Sequence, residues 1–67
     1  MIAEVMERFS KVDGVGIVSY DVWGKRVYIF VVIYSSKDSE ELRQKLSEVE
    51  KSVLKDFSEL NLKICYI

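Results

Sequence analysis

Apolar and polar positions follow two different rhythms along this chain of 67 residues. Ile2, Val5, Met6 and Phe9 recur at helical spacing with Glu4, Glu7 and Arg8 between them. Asp13-Gly14 follows as a stop, so the pattern predicts a short amphipathic helix ending near Lys11. Further on, Leu42, Leu46, Val49, Val53 and Phe57 repeat every three or four residues and predict a second, longer helix. Asp38, with Glu41 three residues later, reads as a capping box at its start, and Glu41 and Lys45 stand in the favourable i,i+4 order. Leu60, Leu62, Ile64 and Tyr66 then alternate with Asn61, Lys63 and Cys65, the period of a half-buried strand.

Between the helices the rhythm breaks down into a nearly uninterrupted apolar run, Arg26 to Tyr34. Its β-branched and aromatic side chains predict a strand that draws both faces away from water. Val15 to Tyr20 predicts the strand before it. Asp21-Val22-Trp23-Gly24 between them fits a type I turn, with Gly24 in the positive-φ position of a following bulge, and this is favoured over a two-residue Gly24-Lys25 turn. The choice decides which side chains share a face, because a slip of one residue exchanges the faces. With the bulged turn, Val15, Ile17 and Ser19 join Val27, Ile29, Val31 and Ile33 on one face. The other carries Gly16, Val18 and Tyr20 with Arg26, Tyr28, Phe30, Val32 and Tyr34.

The order helix-strand-strand-helix-strand, with no linker or repeat, predicts one α+β domain over residues 1–67. Its expected form is two-layered, a three-stranded antiparallel sheet with two helices on one face, a fragment of a ferredoxin-like arrangement. One sheet face then lacks a cover. A chain this short buries only about 60% of its unfolded surface and needs a supplement to its core. A single cysteine, Cys65, removes internal disulfides from the choices. A homodimer or a protein partner is therefore expected, meeting Val18, Tyr20, Tyr28, Phe30, Val32 and Tyr34.

Composition narrows the setting more than the chemistry. The sequence shows no charged-then-apolar leader and no disulfide framework, which points to the cytoplasm. Its longest wholly apolar run, Val27 to Tyr34, is far short of the ~18 residues that cross a bilayer as a helix. A net charge of -1, with acids and bases interleaved, gives no broad field for nucleic acid or anionic lipid. The chain has one Asn, one Gln and no His, beside many Lys and Glu, a balance that matches proteins of hyperthermophiles.

No catalytic constellation stands in the sequence, and neither enzyme activity nor a cofactor is expected. Without His there is no imidazole base for a nucleophile. Cys65 lies in a strand pattern with no evident basic neighbour, the usual setting of an inert packed thiol. Glu40, Glu41, Glu48 and Glu50 fall on the polar side of a helix. Gly14-Val15-Gly16 precedes a strand instead of opening a helix and lacks the rest of a dinucleotide fingerprint.

Several phrases taken together resemble the cytoplasmic C-terminal domain of cation diffusion facilitators. These are Val12-Asp13-Gly14-Val15, Gly24 in the hairpin, the long strand Val27 to Ile33, Ser39-Glu40-Glu41-Leu42, and the helix Val49 to Phe57. The resemblance covers roughly residues 12 to 67. It implies a dimer that senses metal, with ligands, largely His in that family, from the first, second and last strands. Gly16, Val32 and Cys65 fall near those places, and Ile67 stands where the family has an acid, so Cys65 is the one metal ligand the resemblance implies. A second likeness is to the RNA-recognition motif. Arg26, Tyr28, Phe30 and Val31 match its basic, aromatic, aromatic and Val spacing, which implies single-stranded RNA stacked on the sheet. The reading that the residues support first is a non-catalytic homodimerising or regulatory module, with metal sensing through Cys65 and RNA binding as alternatives.

Overall fold

Residue by residue along β2 (Arg26–Ile33), exposure alternates, and Val27, Ile29, Val31 and Ile33 form its buried face. This is the middle strand of the sheet, described here from a computed structural model that covers Met1–Ile67. Two helices lie over that buried face. From α1 (Ile2–Ser10) come Val5 and Phe9, both 0% exposed, and from α2 (Glu40–Asp56) come Leu42, Leu46 and Val53, with Phe57 just after the helix. With Val15 these side chains make one core of eleven residues containing no buried polar group. The helical periodicity of the sequence therefore places its apolar stripes correctly. The α+β order helix-strand-strand-helix-strand is the observed one.

The sheet is mixed, not antiparallel throughout. β1 (Val15–Trp23) pairs antiparallel with β2, but β3 (Asn61–Tyr66) runs parallel to β2, from Arg26 opposite Asn61 to Val31 opposite Tyr66. The length of α2 explains the direction. Its 17 residues rise about 26 Å, and the eight residues of β2 span about the same distance. The helix thus carries the chain back along the whole strand, and β3 starts where β2 started. A short 3₁₀ turn, Ser35–Lys37, makes the link from β2 to the helix.

The hairpin differs from the bulged turn expected. Trp23 pairs with Arg26, so Gly24 and Lys25 alone make the turn. Gly24 has φ +59° with open space around its α-carbon, so the glycine answers a backbone requirement and not a packing one. A bulge does occur, at the opposite end of β1, where the register slips by one residue between Val15 and Val18. Val15 opposes Ile33, whereas beyond the slip Val18, Tyr20 and Val22 oppose Val31, Ile29 and Val27. Ile17 and Ser19 are consequently not core residues, and Val18 and Tyr20 change sides relative to expectation.

Polar contacts tie the elements together at the surface. The Ser39 hydroxyl, not the Asp38 carboxylate, caps α2, accepting the Leu42 backbone N–H at 3.1 Å. Asp38 instead holds the Arg43 guanidinium through two hydrogen bonds of 2.9 and 3.0 Å, which keep its carboxyl below its usual range. Arg8 joins the helices, donating to Asp56 at 2.8 Å and Ser52 at 3.1 Å while lying over the Phe57 ring. On β3, the Tyr66 hydroxyl donates to Glu50 of α2 at 2.8 Å. Burial first, and then that hydrogen bond, push the Tyr66 phenol well above its ordinary 10.0.

Two expectations follow from these caps and links. Ser39→Ala should cost about 1 kcal/mol in urea denaturation, and Asp38→Ala, which breaks only a surface pair, far less; equal losses would return the cap to Asp38. A phenol that holds its proton more tightly folded than unfolded adds stability that is complete below the ordinary tyrosine value and is lost as pH rises through the folded value. Between about pH 8 and pH 11 the wild type should therefore lose more stability than Tyr66→Phe. Parallel pH profiles for the two proteins would contradict the assignment.

Candidate functional site

The sheet face turned away from both helices is an apolar surface that no helix covers. Strand register lays it out in rows. Trp23, Arg26 and Asn61 form the row nearest the hairpin turn, then Asp21, Tyr28 and Lys63, then Ser19, Phe30 and Cys65. Val32 continues the line beyond Phe30, opposite the bulge that contains Gly16 and Ile17. Trp23 is 73% exposed, and Ile17 and Tyr34 are exposed as well, although all three are large apolar side chains.

Local structure sets the shape of this surface. Tyr28 and Phe30 are two residues apart on one strand, so both side chains leave on the same side, and their rings lie 6.4 Å apart at 17° between planes. Together with Trp23, Asp21 and Cys65 they line a shallow hollow of about 340 Å³. Tyr34 folds back toward the bulge, where a β-carbon on Gly16 would come within 3.0 Å of its ring. The position that the metal-sensing resemblance gave to a ligand is thus a seat for an aromatic ring.

Four of the six residues expected on this face, Tyr28, Phe30, Val32 and Tyr34, belong to β2 or its end. Val18 and Tyr20 do not share it. The slip in β1 turns Val18 toward the helices, where it packs against the core, and puts Tyr20 on the same side, 52% exposed near the hairpin end. In their place, beside Lys63 of β3, the face gains Trp23 and Asp21, which the expected turn had hidden. The two-residue turn extends β1 through Trp23 and brings these residues into the sheet.

Charge on the face is sparse and balanced. Asp21 and Lys63 flank Tyr28 from opposite sides, and neither joins any of the four ion pairs in the chain, which are Arg8 with Glu4 and Asp56, Lys11 with Glu7, and Arg43 with Asp38. One Asp21 oxygen accepts the Val22 backbone N–H at 2.9 Å. Cys65 is a free, half-buried thiol beside Phe30. No group of three or more His, Cys, Asp or Glu side chains gathers around it, or elsewhere in the chain, in a way that could hold a metal ion. A smaller hollow of about 150 Å³ near the start of α2 mixes Asp13 and Glu41 with Lys37 and Lys45. No helix is long and apolar enough to cross a membrane. Comparison with protein-family models, with curated proteins and with solved structures finds no match to this chain.

Proposed function

We propose that this chain is a non-catalytic interaction module of the cytoplasm that pairs with a second copy of itself through the uncovered sheet face. The observation that carries the reading is the set Trp23, Tyr28, Phe30 and Val32, laid side by side on the sheet face opposite both helices, Trp23 exposed and the other three half-buried. Three strands at about 4.8 Å spacing and eight residues at about 3.4 Å make a face of roughly 14 by 27 Å. Two such faces, at roughly 380 Å² each, bury on the order of 800 Å² together, the size of a weak, concentration-dependent interface. Hiding large aromatic side chains supplements a core of only eleven residues. The single free thiol and the Lys- and Glu-rich, amide-poor composition suit a reducing compartment and a source that grows hot.

Single-stranded RNA stacked on Tyr28 and Phe30 is the second reading, and the two nearly parallel rings favour it. Against it, Arg26 and Lys63 are the only cations in the rows of the face, and Asp21 stands among them. Cys65 as a metal sensor has no accompanying donors to support it.

In sedimentation equilibrium at about 100 µM, a concentration suited to an interface of this size, the protein should be dimeric. Phe30→Asn and Trp23→Ser should shift it toward monomer while circular dichroism stays folded, whereas Leu54→Asn on α2 should not. A wild-type monomer under these conditions would overturn the reading. Salt-dependent binding of an oligo-U strand that is lost in Phe30→Asn would put the RNA reading in its place.

A further inference from the structure

The pairing of copies has a geometry that the charges on the face select. Two sheets packed face to face lie about 10 Å apart with their strands nearly aligned. A two-fold axis between them runs either along the strands or across them. An axis along the strands keeps each row at its own level and exchanges left with right, so β1 of one copy lies over β3 of the other. An axis across the strands keeps β1 over β1 and exchanges the rows instead.

Asp21 and Lys63 distinguish the two. They occupy the same row on opposite sides of Tyr28, one on each edge strand, and have no ionic partner within the chain. With the axis along β2, Asp21 of each copy meets Lys63 of the other, on both flanks of a central contact between the two Tyr28 rings. With the axis across the strands, Asp21 lies over Ser19, or over its own copy, and Lys63 over Cys65 or its own copy. Each charge is then covered without a counter-charge, which is costly. Arg26, which the first arrangement brings opposite its own copy, stands at the end of the face beside the turn and is exposed, so its long side chain reaches water.

We propose that the dimer forms about an axis parallel to β2, locked by two reciprocal Asp21–Lys63 pairs around the Tyr28 and Phe30 contact. This rests on the homodimer reading and adds the arrangement to it. Ser19 and Cys65 then oppose each other across the interface, and Trp23 covers Asn61 of the second copy. The reciprocity makes the interface specific, since both ion pairs come from one residue type on each edge strand.

The test uses Asp21→Lys and Lys63→Asp in the full chain, singly, mixed and combined. Both positions are exposed, so the fold should be kept. In sedimentation equilibrium each single variant should dimerise at least tenfold more weakly than wild type, because two like-charge pairs replace two opposite ones. An equimolar mixture of the two variants should recover a heterodimer of near wild-type affinity, and the combined variant should recover a homodimer. Recovery in the mixture also shows that each variant is folded. A wild-type dimer whose affinity neither single change weakens, or a mixture that stays monomeric, would overturn the axis and leave face-to-face pairing standing. A wild-type monomer would overturn both.

Discussion

One constraint organises this protein: its central strand is apolar on both sides, and the chain has only enough helix to cover one of them. β2 sends Val27, Ile29, Val31 and Ile33 into the core and Tyr28, Phe30 and Val32 the other way. Both helices are committed to the first side, where Phe9, Leu46 and Val53 close over it. Every other feature of the molecule either serves that packing or is left on the opposite face by it. The absence of buried polar groups follows from the same economy, since a core this small tolerates no unpaired donor or acceptor.

Topology then decides what surrounds the half-buried aromatics of the opposite face. A helix as long as the strand it crosses returns the chain to the beginning of that strand, so β3 adds in parallel and places Asn61, Lys63 and Cys65 beside Arg26, Tyr28 and Phe30. Had β3 entered antiparallel, Lys63 would not stand level with Asp21. The ionic pattern of the face is therefore a product of the length of α2 as much as of the residues themselves. Tyr66, on the other side of β3, fastens that strand to α2 through Glu50 and keeps the arrangement in place.

Legibility from sequence tracks how periodic each element is. The helices and their buried stripes could be read because Val5, Phe9, Leu42, Leu46 and Val53 recur at a spacing only a helix satisfies. The register of β1 could not, because Val15, Gly16, Ile17 and Val18 offer no polar residue to mark a face. Gly16 inside the strand was the one hint of a bulge there. Gly24 needs positive φ in either hairpin, so it could not discriminate between a bulged turn after Asp21 and a tight turn with Lys25. Asp38 and Ser39 are both good caps, one residue apart, and Arg43 decides between them by taking the carboxylate. Of the candidate face, the β2 half was visible in the alternation of the strand itself. The β1 half depended on the register and emerged only with it.

The slip in β1 also bears on what the edges of the sheet can accept. β1 and β3 are both edge strands, and an unbroken edge offers a row of backbone donors and acceptors on which further chains can add without limit. By leaving an extra residue unpaired between Val15 and Val18, the bulge twists and interrupts that row at one edge. The brevity of β3 at six residues curtails the other. An open-ended ladder of strands, the route to fibres, is discouraged on both sides, whereas the proposed pairing through the aromatic face would close after two copies. A small irregularity in one strand would thereby separate assembly that ends from aggregation that does not.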